Sequence, residues 1–139
     1  MKLYDQHLHS KFSIDSRTEP EDNVQQAIGC GLAGLTFTEH FDTDQADWSS
    51  CVYDDEAYTQ SLQSLRETYG QDIFIGKGIE VDYAPEREDF ILQFLDTHEF
   101  DLVMLSVHRF GKKQIHRKEN WQGWDVPGGT QLYLQTVLE

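Results

Sequence analysis

Leu102-Val103-Met104-Leu105-Ser106-Val107 is a nearly unbroken apolar run of strand length, the pattern of a β-strand buried on both faces. Such strands belong to parallel sheets, and each parallel step needs a crossover of a dozen or more residues, usually a helix. The chain supplies these crossovers. Upstream, Glu86 to Glu99 reads as a helix with Phe90, Ile91, Phe94 and Leu95 on one face. Before it, Ile73 to Val81 reads as a strand, kinked or bulged near Gly76 and Gly78. Asp54 to Tyr69 reads as a helix whose apolar stripe includes Ala57, Tyr58, Leu62 and Leu65, closed by Gly70. Leu35 to His40 is a strand. The helix ahead of it opens on a capping-box pattern from Thr18 to Glu21, with Pro20 in its first turn. Val24, Ala27 and Ile28 carry that helix, and Gly29, Gly31 and Gly34 end it. Leu3 to His9 is the first strand and Thr130 to Leu138 the last helix. The resulting β-α-β-α-β-α-β-α order predicts an α/β fold with a parallel sheet and right-handed crossovers. Four such units make about half of a (β/α) barrel, which usually takes around 250 residues. An open parallel sheet is the alternative.

Composition narrows the function classes. At 139 residues the chain is one domain, and 38% apolar with 12% aromatic residues suits a folded protein with a modest core. Eleven Lys and Arg against 25 Asp and Glu give a formal charge of −14, which argues against coating nucleic acid or anchoring to an anionic membrane. No apolar run approaches the roughly 20 residues of a membrane span, and Met1 to Asp5 lacks the apolar core of a secretory signal. Cys30 and Cys51 are too few for a disulfide framework and lack zinc-finger spacing; Cys30, at a helix end, is expected in buried packing. A cytoplasmic protein with reduced thiols is the expectation.

The chemistry lies where the strands end. His7 and His9 stand two apart, so strand alternation points both to one face. His40 ends the second strand, Glu80 the third and His108 the fourth, and in parallel α/β folds these carboxyl ends share the rim where ligands bind. Each residue alone has an ordinary explanation: a hydrogen-bonded strand-end imidazole, or a glutamate in a salt bridge. Together, four imidazoles and a carboxylate do nothing for packing and each needs a partner or a cation. A His/carboxylate set without thiolate suits Zn, Mn or Fe, and a glutamate can bridge two ions. Asp15, six residues after His9, is either a further ligand or an ordinary turn aspartate. Alternation points Glu39 away from the rim, toward solvent or a salt bridge, whereas Asp42 is placed to accept a hydrogen bond from a ligating imidazole.

A charge reversal follows. Arg109, Lys112, Lys113, Arg117 and Lys118 are five of the eleven basic residues and come directly after His108. They form either a solvated loop or a basic rim that draws a phosphate toward the ions. Trp121 and Trp124 then cover the site or pack locally. His98 and His116 fall away from the rim.

In these residues the chain resembles the PHP (polymerase and histidinol phosphatase) superfamily. The matching stretches are Asp5-Gln6-His7-Leu8-His9-Ser10, Phe12-Ser13-Ile14-Asp15-Ser16, Thr36-Phe37-Thr38-Glu39-His40-Phe41-Asp42, Gly78-Ile79-Glu80-Val81 and Leu105-Ser106-Val107-His108. The Phe-Ser-x-Asp-Ser loop favours the histidinol-phosphate phosphatase branch. The resemblance implies a distorted (β/α)₇ barrel, of which residues 1–139 would be a single truncated domain. It implies two or three divalent ions on its rim, with His7, His9, Asp15, His40, Glu80 and His108 as ligands and Glu80 bridging. It also implies phosphomonoester hydrolysis in histidine biosynthesis, a metal-bound hydroxide attacking phosphorus, with Glu80, His9 and His40 in the catalytic set. Arg109, Lys112 and Lys113 are then expected to meet the phosphate of a small substrate. The family's later strands are absent from this sequence, so the exposed sheet edges predict a homo-oligomer. A silent metal-binding half-barrel and a nuclease-like or polymerase-associated phosphoesterase are the other readings.

Overall fold

The computed structural model describes residues 1–42, 53–110, 113–115, 117–123 and 125–138. Cys51, Lys112, His116 and Trp124 lie outside the described residues, and Lys113 is described by its backbone alone. The strands are β1 (Tyr4–Leu8), β2 (Gly34–Asp42), β3 (Phe74–Asp82) and β4 (Leu102–Ser106), and the helices α1 (Pro20–Gly29), α2 (Asp55–Tyr69), α3 (Glu88–Thr97) and α4 (Val126–Leu138). A two-stranded antiparallel ribbon, β5 (Arg109–Phe110) and β6 (Lys113–Gln114), follows β4; the sequence reading did not foresee it.

The main sheet runs β1-β2-β3-β4 and every pair is parallel. Strands that join in chain order, without the reversal that marks a doubly wound sheet, build the wall of a barrel. The four units accordingly form a curled half-barrel, and the open-sheet alternative is set aside. One buried cluster unites Val24 and Ala27 of α1, Leu35 and Phe37 of β2, Tyr58, Leu62 and Leu65 of α2, and Ile73 and Ile75. A second joins Phe41, Ile79 and Val81 to Ile91 of α3. Each of the Val, Leu, Ile and Phe side chains among them contributes about 1.5–3 kcal/mol on burial. Tyr58 does more than fill space: its hydroxyl lies 3.1 Å from the Phe37 carbonyl and 3.0 Å from the Gly78 carbonyl, tying α2 to two adjacent strands.

Several expectations are corrected. β3 is not kinked at its glycines, since its register with β2 runs unbroken from Gly34↔Phe74 to Asp42↔Asp82. Gly76 and Gly78 are there for close approach: a Cβ on them would stand 2.5 Å from Thr36 Oγ1 and 2.6 Å from the Phe37 carbonyl oxygen. The irregular step falls in β1 instead, between Asp5 and Leu8, where it accommodates an extra residue just ahead of the rim. β4 is not buried on both faces; as the last strand of the sheet it leaves Val103 41% and Leu105 60% exposed. Thr18 does not cap α1. Glu19 holds that position without a side-chain cap, its carboxylate taken instead by Lys11 Nζ at 2.7 Å. By contrast Asp54 caps α2, accepting from the Ala57 amide at 3.0 Å. α3 begins at Glu88, because Pro85–Arg87 form a 3₁₀ turn before it. α4 begins four residues earlier than its apolar pattern suggests, with Asp125 accepting from the Gly128 amide. Cys30 is exposed, as are Ala57 and Phe90 of the expected stripes.

The glycine contacts yield a paired test. Gly78→Ala should destabilise the fold by about 1–3 kcal/mol, because its new methyl meets backbone on a neighbouring strand. Gly29→Ala, with nothing within 4 Å, should be neutral or slightly stabilising. Urea unfolding monitored by circular dichroism compares the two.

Candidate metal centre

The β2–β3 register sets His40 opposite Glu80, and β3–β4 sets Glu80 opposite Met104 with His108 beyond the end of β4. β1 ends beside β2 and brings in His7 and His9. β1, β2 and β4 therefore aim imidazoles at the one carboxylate that β3 carries. Glu80 Oε2 lies 3.4 Å from His7 Nε2, 3.4 Å from His9 Nε2 and 3.3 Å from His40 Nδ1. Its Oε1 lies 3.2 Å from His108 Nε2 and accepts a 2.6 Å hydrogen bond from Ser106. Asp15, on the loop after β1, places Oδ2 3.4 Å from His40 Nε2, so both nitrogens of that ring face carboxylates. The His9 and His40 rings stack at 4.3 Å. The structure thus brings His7, His9, Asp15, His40, Glu80 and His108 together.

The groups behind these side chains were only partly anticipated. Asp42 Oδ1 stands 3.2 Å from His108 Nδ1, the acceptor position suggested for it. Asp82 was missed. It is buried two residues after Glu80, accepts from the His108 amide at 3.0 Å and holds the Arg109 guanidinium through Nε and a terminal nitrogen. The same alternation that singled out His7 and His9 would have found it. Glu39 is shut off from solvent and, among the described residues, forms no salt bridge. It is fully buried and accepts from the Ser10 amide, the Ser10 hydroxyl at 2.6 Å and the Ser13 hydroxyl at 2.6 Å. The turn after β1 folds over it, which strand alternation alone does not reveal. Of the basic run, Arg109 sits at the rim against Asp82, whereas Arg117 is exposed near Glu119. Trp121 packs locally, donating from its indole to the Ile115 carbonyl. His98 stacks on Phe94, away from the cluster.

Electrostatics follow from this crowding. Burial alone would raise the Glu80 carboxyl, but bonds from His108 and Ser106 and the charge of His40 bring it down to about 2. Burial likewise pulls His108 down, and its bonds to Asp42 and Glu80 outweigh that and carry it up to about 10. Burial, then the neighbouring His40, lowers His9. Burial raises Asp82 despite its contacts with the His108 amide and Arg109. Burial also raises Glu39 against its serine bonds.

The donors fit a divalent cation. Among the described residues, the buried side-chain atoms without a hydrogen-bond partner are His40 Nδ1, Glu80 Oε2 and Arg87 Nε, and the first two face each other. Ligand atoms about 2.0–2.1 Å from one tetrahedral ion lie roughly 3.4 Å apart, which is the spacing around Glu80 Oε2. Four overlapping triads satisfy a common-ion distance: His7/His9/Glu80, His9/Asp15/His40, His40/Glu80/His108 and Asp42/Asp82/His108. His9, His40, Glu80 and His108 each belong to two triads, so neighbouring ions would draw on common ligands.

A sheet whose strand ends converge on a His/carboxylate centre of this order is the PHP domain, and the chain belongs to that family, which matches residues 5–135. Among individual proteins it is similar to the histidinol-phosphatase of Lactococcus lactis subsp. lactis, 33% identical over all of this chain and 47% of that enzyme. The histidinol-phosphatase of Bacillus subtilis is 31% identical over 78% of this chain and 44% of its own length. Among solved structures, the Lactococcus lactis histidinol phosphate phosphatase, complexed with zinc, L-histidinol and phosphate, superposes with a TM-score of 0.74 at 36% identity, over 79% of this chain and 41% of that one. A Listeria monocytogenes protein, 22% identical with a TM-score of 0.71, shares the fold over 86% of this chain and 52% of its own. The chain spans about half the length of the curated relatives it matches.

The raised His108 dictates a proton balance. A metal takes the imidazole only when a ring nitrogen is free, so a ring that titrates at about 10 must lose its proton on binding at neutral pH. Zinc uptake should therefore release protons and tighten as pH rises toward that value. Calorimetry in two buffers of different ionisation heat reads the release, and His108→Ala should reduce it.

Proposed function

We propose that this chain carries the metal centre of a phosphomonoester hydrolase acting on histidinol phosphate or a closely similar small alcohol phosphate. The observation that carries this reading is Glu80 Oε2 at 3.3–3.4 Å from imidazoles delivered by β1 and β2. The relatives' activity and the zinc, histidinol and phosphate held by the Lactococcus enzyme support it.

Two or three ions fit the donor set, with zinc favoured by that relative. His7, His9 and Glu80 would hold one, and His40, Glu80 and His108 a second; Asp15 with His40 completes the outer side. Bound ions supply Lewis-acid charge for a phosphoryl group and lower the pKa of water. The chain's own residues do the rest. Ser106 fixes the Glu80 carboxylate through Oε1, leaving Oε2 toward the imidazoles. Asp42 orients His108. Arg109, held by Asp82 immediately beyond His108, would offer its guanidinium to phosphate oxygens, with Lys112 and Lys113 following it in the sequence.

Among the described strands β1 and β4 form the two edges of the main sheet, with Leu3, Tyr4, Val103 and Leu105 exposed beside them. Self-association through them is the natural way to cover them in a chain on its own. The half-length match also favours a second reading, a metal-binding module that is silent by itself.

Phosphate release from histidinol phosphate by the zinc-loaded chain separates the readings. Measurable release that falls at least ~100-fold in His7→Ala and Glu80→Ala supports the hydrolase. Bound zinc with no release supports the silent module. Light scattering should show assemblies larger than the 16.2 kDa monomer.

A further inference from the structure

The most completely buried carboxylate near the centre is Glu39, and among the described residues its hydrogen bonds go to serines and not to an imidazole. Its two oxygens are filled from behind. The Ser10 amide donates to both at 3.1 and 3.0 Å, the Ser10 hydroxyl to Oε1 at 2.6 Å and the Ser13 hydroxyl to Oε2 at 2.6 Å. O–H···O distances of this length are those of bonds to an ionised carboxylate, which can only accept.

The Ser13 hydroxyl is the pivot. It has one hydrogen and two lone pairs. The hydrogen is committed to Glu39, and the His40 amide donates to one lone pair at 2.9 Å. What remains toward His9 Nδ1, 3.3 Å away, is an acceptor. A ring nitrogen hydrogen-bonded to an acceptor carries a hydrogen, whereas Nε2 makes no hydrogen bond to Glu80 Oε2, so in the neutral ring Nε2 is the nitrogen with a free lone pair. That atom is the one 3.4 Å from Glu80 Oε2.

We propose that Glu39, acting through Ser13, is a positioning residue that selects the Nδ1–H tautomer of His9 and so leaves Nε2 free for a cation. The same hydroxyl grips the His40 backbone, so one carboxylate orders two neighbouring ligands. The inference deepens the metal-centre reading and rests on it for its purpose, but the tautomer itself is a property of the metal-free chain.

Glu39→Gln tests the chain of bonds by its direction. Oε1 receives two Ser10 donors, so the glutamine oxygen belongs there and its NH₂ falls opposite Ser13. Ser13 would then accept from glutamine and from the His40 amide, and its own hydrogen would turn to His9 Nδ1. The experiment is long-range ¹H–¹⁵N NMR of histidine-labelled, metal-free chain at about pH 8, above the ordinary imidazole range, followed by zinc titration. Expected results are Nδ1–H at His9 in the parent and in Ser13→Thr, and Nε2–H as the major form in Glu39→Gln and Ser13→Ala. Zinc binding should weaken by ~10-fold or more in the latter two. The proposal is overturned by Nε2–H in the parent chain, or by Nδ1–H persisting in a folded Ser13→Ala. Ser13→Ala decides the matter if Glu39→Gln fails to fold. Because the readout is a ring proton and not phosphate release, an inactive chain with the expected tautomer counts against the hydrolase reading alone.

Discussion

The parallel pairing of β2 with β3, unbroken over the whole of both strands, is the constraint on which this protein depends. It sets His40 beside Glu80, and it is made possible by glycines that let Thr36 and the Phe37 carbonyl approach closely. Tyr58 reinforces the same pair of strands from the helix side with a single hydroxyl. A shift of one residue would turn Glu80 toward the helices and Ile79 toward the rim, since strand faces alternate. The core and the metal centre are therefore two faces of one register.

Gathering four imidazoles and several carboxylates costs stability that the apolar clusters must offset. The structure limits that cost by giving most members a fixed partner: Ser106 for Glu80, Asp42 for His108, Arg109 for Asp82, two serines for Glu39. At the centre, the buried atoms left without a hydrogen bond among the described residues are on its inner edge, His40 Nδ1 against Glu80 Oε2. Ligand atoms with free lone pairs facing one another at this separation are poised for a cation, and the supporting bonds keep them from turning away to satisfy themselves.

Much of this was legible beforehand. The element order, the parallel sheet and the strand-end positions of His7, His9, His40, Glu80 and His108 follow from apolar periodicity and from motifs that are short and close to the strand termini. The errors have a common origin. β4 looked doubly buried because an apolar run does not say whether a neighbour covers each face, and Leu105 is in fact well exposed. Gly76 and Gly78 looked like a kink because sequence does not show which backbone comes near. Glu39 reads as a charge facing solvent or a salt-bridge partner because nothing local reveals that the turn carrying Ser10 and Ser13 folds back over it.

Residue types and spacing thus determined the α/β class, the rim and the chemical character of its donors, because strand alternation and helix periodicity are local properties of the chain. Which nitrogen of each histidine looks inward, which carboxylate is bonded to serines and which to arginine, and how the two halves of a hydrogen-bond chain are directed were decided only by tertiary structure. Those features depend on contacts between residues 26 to 66 positions apart, such as Ser13 with Glu39 and Asp42 with His108, whose distances no local pattern encodes.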